Sequence, residues 1–170
     1  MNYDALIEQA KHIFFKDNDY DKAIECVNKA IKLDAMRIEA YQARAVMYKC
    51  KHDFDASIRE CNKAIELDPD NAQNYSMRGE AYALKDDFAT AIRDNNTAVR
   101  LAPTGSYHRY MRGNIYFAMR EYDAAIQDLE KAIELSRPDT FERAERLLRR
   151  VRDSKRERDA IMQKNVDTQV

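Results

Sequence analysis

The sequence predicts an all-α fold, an α-solenoid of four helical hairpins followed by a C-terminal helix. Three observations predict it: a repeat of 34 residues, a helical apolar stripe in each repeat, and a near absence of helix breakers. In steps of 34, Phe14, Tyr48, Tyr82 and Tyr116 share one column, and Tyr20, Phe54, Phe88 and Tyr122 share a second. Ile24, Ile58, Ile92 and Ile126 make a third, Ala30, Ala64, Ala98 and Ala132 a fourth, and Leu33, Leu67, Leu101 and Leu135 a fifth. Units of this length cannot bury an apolar face alone and must stack on their neighbours. With only three glycines and three prolines in 170 residues, the connections between helices must be short.

Within each unit the first half carries apolar residues at helical spacing, as at Ile7, Ala10 and Phe14 and again at Tyr41, Ala45 and Tyr48. Short polar turns follow, such as Asp17 to Asp19 and Lys85 to Asp87. The second half carries a stripe at i, i+1, i+4, i+7 and i+8: Ala23, Ile24, Val27, Ala30 and Ile31 in the first unit. That spacing returns as Ser57, Ile58, Cys61, Ala64 and Ile65, as Ala91, Ile92, Asn95, Ala98 and Val99, and as Ala125, Ile126, Leu129, Ala132 and Ile133. Its small residues let a second helix approach closely. Helices of about 13 residues are marginal alone, so packing between units must supply most of their stability. Asn95, polar in an apolar column, reads as a hydrogen-bonded structural residue.

These residues resemble the tetratricopeptide repeat. The resemblance rests on the small-aromatic pairs of the first helices (Gly79 with Tyr82, Gly113 with Tyr116, Ala45 with Tyr48) and on the aromatic and Ala that open the second (Tyr20 and Ala23, Phe88 and Ala91, Tyr122 and Ala125). The closing Leu67, Asp68 and Pro69 belong to it as well, since proline cannot continue a helix. Lys11 in place of a small residue, Ala35 in place of proline and the displaced Pro138 depart from the pattern in the terminal units. The resemblance implies four repeats at about 4–37, 38–71, 72–105 and 106–138, wound as a right-handed superhelix. Residues 139–163 then form a charged capping helix, whose stripe of Phe141, Ala144, Leu147, Leu148 and Val151 turns polar at Ser154, Lys155 and Arg158. The helix is expected to leave the body there, and residues 164–170 are expected to be a disordered tail.

Composition narrows the function. A formal net charge of −1 gives a weak global field, which argues against general attraction to nucleic acid or membrane. Arg143, Arg146, Arg149, Arg150, Arg152, Lys155, Arg156 and Arg158 crowd the last helix, a pattern that suits RNA or an acidic partner. Interleaved Glu142, Glu145, Asp153, Glu157 and Asp159 favour instead ion pairs along a solvated helix. Cys26, Cys50 and Cys61 are odd in number and lack paired short spacing, so they read as reduced thiols of a cytoplasmic protein. No apolar run reaches membrane-spanning length, and the first residues show no secretory signal.

Enzymatic constellations are missing from the sequence. Gly79, Gly105 and Gly113 are too scattered for a phosphate cradle, and His12, His52 and His108 join no metal motif. Neither metal nor cofactor is expected, and a non-enzymatic binding module is. The resemblance implies that the first helices line a concave groove for an extended or helical peptide of a protein partner. One subclass of the family clamps the terminal carboxylates of heat-shock chaperones with lysine, arginine and asparagine. The corresponding positions here are Glu8, His12, Ala43, Gln73 and Met77, or, one unit later, Gln42, Val46, Met77, Tyr107 and Met111. No Lys or Arg stands among them, so such tails are not expected to bind.

The groove expected instead is soft and apolar: Phe15, Val46, Met77, Tyr107, Tyr110, Met111 and Phe117, with His12, Gln42, Glu80 and Asn114 as polar points. Some of these side chains could equally pack against a neighbouring unit or the last helix. A ligand peptide is expected to anchor in the third and fourth units, through residues such as Met77 and Tyr110. Two rival readings stand beside the adaptor: a secretion-type or assembly chaperone, and a structural module that self-associates through its exposed ends into homo-oligomers.

Overall fold

The computed structural model describes residues 1–136 and 141–167, with side chains to residue 165, so Pro138 lies outside the described residues. Among these residues there are nine helices and no strand: α1 (Tyr3–His12, continued as a π-helical turn over Ile13–Asp17), α2 (Tyr20–Leu33), α3 (Ile38–Cys50), α4 (Phe54–Leu67), α5 (Ala72–Leu84), α6 (Phe88–Leu101), α7 (Ser106–Ala118), α8 (Tyr122–Leu135) and α9 (Glu142–Asp167). They form two compact units, Met1–Leu101 with α1 to α6 and Ala102–Val170 with α7 to α9.

Each hairpin is made by the same local chemistry. The turn residue adopts a left-handed conformation at Asn18, His52, Asp86 and Arg120, positions 34 apart. At the last three the helix closes with paired backbone bonds: Asp53, Asp87 and Glu121 donate N–H to the carbonyls of Tyr48, Tyr82 and Tyr116 at 3.0, 3.0 and 2.9 Å. This arrangement satisfies carbonyls that the helix end leaves open, and it usually employs glycine at the left-handed residue. The next residue then starts the following helix. Asp19, Asp53 and Asp87 accept from the backbone N–H of Lys22, Ala56 and Thr90 at 3.1, 3.0 and 3.1 Å. Glu121, one methylene longer, makes no such cap on α8.

The apolar columns become the two cores. In the first unit Leu6, Ile7, Ala10, Ala23, Ile24, Val27, Ala30 and Met47 form one buried cluster. In the second, Tyr122, Ala125 and Leu129 of α8 meet Ala144, Leu147, Leu148 and Val151 of α9. Close approach is built into the first helices: a Cβ on Gly113 would stand 3.0 Å from Leu129 Cγ, and one on Gly79 only 2.3 Å from Asn95 Nδ2. The Leu column is least buried at Leu33, which is 58% exposed.

The sequence places the departure of the last helix after Val151, but α9 stays on α8 further than its apolar stripe does. Arg152 pairs with Glu130 at 2.6 Å, Lys155 pairs with Asp123, and the Arg158 guanidinium lies 5.0 Å from the Tyr122 ring centroid. Charge pairing carries the contact where burial stops. The helix also continues through residues 164–167, with Lys164 in its last turn where a cation complements the helix dipole. Residues 168–170 lie outside the described residues.

Candidate functional site: the first-helix faces

In the first unit, α3 and α5 lie side by side and are joined across the face. Gln42 Nε2 donates to Asn74 Oδ1 at 2.6 Å, and Lys49 pairs with Glu80 at 2.6 Å. Asn74 is fully buried and donates in turn to the carbonyl of Ala64 at 3.1 Å, which fixes its orientation. Gln42 and Glu80 are therefore already partnered within the fold, while Val46 and Met77 between them are half-buried. On α1, His12 is exposed and Phe15 is 72% exposed, its ring edge-on to Phe14 at 4.9 Å. Phe15 is one of the large apolar side chains this unit leaves exposed, with Met1, Leu33, Met36 and Leu84.

In the second unit the five residues named on α7 divide. Tyr107 and Asn114 are exposed, whereas Met111 is 6% exposed and belongs to the interior. Tyr110 is half-buried with its ring edge-on to Phe141, centroids 5.4 Å apart. Phe117 packs at 6.2 Å from Tyr122, and the Arg150 guanidinium lies 5.6 Å from its ring centroid. Helix α9 and the residue preceding it thus take up part of the aromatic face of α7. Beyond Phe117 a cleft of about 640 Å³ opens between the C-terminal end of α7 and the distal half of α9, walled by Phe117, Tyr122, Ile161 and Met162.

Asn95 is fully buried, with Nδ2 donating to the Ala91 carbonyl at 3.0 Å. Its amide lies against Gly79, inside the α5–α6 contact. Among the described residues no group of three or more His, Cys, Asp or Glu side chains is placed to hold a metal ion. Nor is any helix among them long and apolar enough to cross a membrane.

A polar column escaped the sequence reading because only apolar columns were aligned there. Arg78 forms a bidentate pair with Asp94 (2.8 and 2.7 Å) and donates its remaining nitrogen to Asn62 at 2.7 Å. Arg44 likewise joins Glu60 at 2.7 Å and Asn28 at 2.6 Å. In the second unit Arg112 grips Asp128 at 2.6 and 2.7 Å. The carboxylates hold the guanidinium groups of Arg78 and Arg112 above their ordinary pKa, so both remain charged despite half-burial. The signal was present: the arginines recur every 34 residues and each carboxylate stands 16 residues after its arginine. Lys49 was missed for another reason. It occupies a groove-facing helix outside the positions carried over from the chaperone-clamping subclass, and Glu80 neutralises it.

No curated protein sequence matches the chain. Solved structures do. The crystal structure of MamA is 27% identical, with a TM-score of 0.68 over 86% of this chain and 84% of that one. The first tetratricopeptide domain of Spaghetti (RPAP3), bound to the HSP90 peptide SRMEEVD, is 28% identical with a TM-score of 0.63, covering 71% and 94%. The thermophilic protein TTC0263 of Thermus thermophilus shares the fold at 18% identity and a TM-score of 0.78, covering 90% and 82%. Tetratricopeptide repeat models match residues 3–35 and 38–71, 60–93, and 108–137. With four hairpins built on these columns, the chain belongs to the tetratricopeptide repeat family.

Proposed function

We propose that this protein-interaction scaffold docks a segment of its partner on the first-helix face of the first unit, and that the segment is read by apolar contact rather than by its terminal carboxylate. The observation that carries the reading is a face of α3 and α5 whose polar groups are already satisfied, together with the exposure of Phe15 at the end of the first helix. Gln42 and Glu80 are engaged with Asn74 and Lys49, which leaves Phe15, Val46 and Met77 as the groups a ligand can newly desolvate. Flexible methionine and a rigid ring suit a ligand anchored by one or two hydrophobic side chains. The positions that would clamp a carboxylate hold Glu8, itself paired with Lys11 at 2.7 Å, together with His12, Ala43, Gln73 and Met77. Its role is that of an adaptor without catalytic chemistry, and its free cysteines fit a reducing, cytoplasmic compartment.

Parallel affinity purification with wild type, Phe15→Ser and Met77→Ala tests the reading. A partner held by wild type should be lost or weakened with either variant, by about 1–2 kcal/mol each, while thermal melting is unchanged. Fluorescence anisotropy with labelled SRMEEVD should show no saturable binding. A partner retained equally by all three proteins, or a salt-sensitive complex with that heptapeptide, would overturn the proposal.

A further inference from the structure

A cationic edge of α9 faces α7 and is largely unneutralised by the described residues. Arg143, Arg146 and Arg150 fall on one side of α9, at i, i+3 and i+7, and all three are exposed. Arg150 marks that side as the one toward α7, because its guanidinium lies over Phe117. Among the described residues Arg143 and Arg150 meet no carboxylate, and Arg146 has only Glu142 at 3.9 Å. Arg149, about 100° round the helix from Arg150, also meets no carboxylate among the described residues, whereas Arg152 pairs with Glu130, Lys155 with Asp123, Arg156 with Asp153 and Arg158 with Asp159. The arginines of α9 without a close ion pair therefore all lie within residues 143–150, three of them on the side toward α7. Further along the same seam a cleft of mixed character lies open, with Ile161 and Met162 each 60% exposed and Arg120, Arg158 and Glu157 also lining it.

We infer that the α7–α9 seam of the second unit takes an acidic linear segment of a partner protein, its carboxylates on Arg143, Arg146 and Arg150 and one apolar side chain in the cleft below Phe117. The inference rests on the proposal that this scaffold docks peptide segments, and it assigns a second, chemically different subsite. Length agrees with a short linear motif. At about 1.5 Å of rise per residue, Arg143 to Ile161 spans about 27 Å, which an extended chain covers in about eight residues. Arginine suits carboxylates because its planar fork can bind both oxygens. An RNA strand fits less well. Two rings of α7 that could stack on bases are occupied, Tyr110 by Phe141 and Phe117 by Arg150.

Selection of random octapeptides displayed on phage against the full chain tests this. The expected winners carry several Asp or Glu residues and one Leu, Met or Phe. A labelled synthetic winner should bind more weakly as salt rises from about 50 to about 300 mM. Arg143→Glu and Arg146→Glu should each weaken it about tenfold, Phe15→Ser should leave it unchanged, and Arg143→Gln should weaken it less than Arg143→Glu. Winners that are neutral or basic, acidic winners indifferent to both charge reversals, or tighter binding of an octauridine RNA would overturn the inference. Winners lost on Phe15→Ser but not on Arg143→Glu would refute this subsite and leave the docking proposal standing; no peptide selected by the chain at all would refute both.

Discussion

Replacing Gly79 with alanine should destabilise the first unit although alanine is the better helix former, and the cost should vanish when Asn95 is shortened. A Cβ at residue 79 would stand 2.3 Å from Asn95 Nδ2, 3.0 Å from the Ala91 carbonyl oxygen and 3.3 Å from Asp94 Cβ. Two of these neighbours are set by the α6 backbone, so Asn95 must move. It is fully buried, and moving it breaks the 3.0 Å bond from Nδ2 to the Ala91 carbonyl. Overpacking costs about 1–3 kcal/mol and a stranded buried amide about 1–3 kcal/mol. Against these, Gly→Ala within a helix returns about 1 kcal/mol. Gly79→Ala is therefore expected to lose about 1–5 kcal/mol, or, at about 2–4 °C per kcal/mol for a chain of this size, several degrees of melting temperature or more.

Asn95→Ala alone removes the hydrogen bond but also the buried Oδ1, which has no partner among the described residues. The double variant Gly79→Ala/Asn95→Ala keeps the helix-propensity gain without the clash. It should match or exceed Asn95→Ala, giving a coupling of about 2 kcal/mol or more between the two sites. Urea unfolding followed by far-UV circular dichroism of the four proteins measures it. If the two losses add to within about 0.5 kcal/mol, the residues are not in the contact described and the account of α5–α6 packing fails.

His52→Gly and Arg120→Gly should each raise stability by about 1 kcal/mol, since both residues hold a left-handed backbone that glycine adopts without penalty, and a lower urea midpoint would contradict this. Arg78→Ala should cost about 3–5 kcal/mol, because it strands Asp94, whose side chain is 8% accessible, whereas Arg78→Met with Asp94→Leu should recover most of that loss in the same assay. Burial holds the His108 imidazole below its usual value of 6.5, so the unfolded chain binds a proton the folded chain resists. Its contribution is complete above about pH 6.5 and is lost as the pH falls toward the folded-state value; His108→Gln should flatten that part of the stability profile, and an unchanged profile would refute the assignment. The lowered carboxyls of Asp19, Asp55, Asp87 and Asp123 act in a separate window, keeping their contribution above about pH 4 and losing it only in stronger acid.

The hairpins were legible in the sequence because burial at fixed spacing writes the same apolar residues at the same phase. Ala30, Ala64, Ala98 and Ala132 could be placed on the inner face of a second helix from spacing alone, and all four are buried. The assignment of groove residues was less legible, because helical phase says which way a side chain points and not what will lie there. Tyr110 and Phe117 share the phase of Phe15, yet Phe141 and Arg150, more than 30 residues downstream, come to lie against them. Met111 lies one position beyond Tyr110, and that rotation is enough to bury it. The π-helical turn at Ile13–Asp17 gave no signal in an apolar-phase reading, since it inserts no residue into the 34-residue count.

The polar column changes how the specificity of stacking is understood. Alanine columns pack closely but are nearly featureless along the helix axis, so they set the distance between helices better than their register. A guanidinium fork tolerates no axial slip. Arg78 must meet both oxygens of Asp94 on α6 and Asn62 on α4 at once, and Arg44 ties α3 to α4 and α2 in the same manner. Buried ion pairs are weak sources of net stability, because desolvation offsets most of their attraction. Their recurrence every 34 residues is better explained by register: Arg44 and Arg78 each fix one first helix against its own second helix and against the second helix of the preceding repeat. The first repeat has Ala10 and Cys26 in these two columns and therefore lacks the fork. It is also the repeat whose first helix ends in a π-helical turn, where the backbone is free to adopt a different pitch.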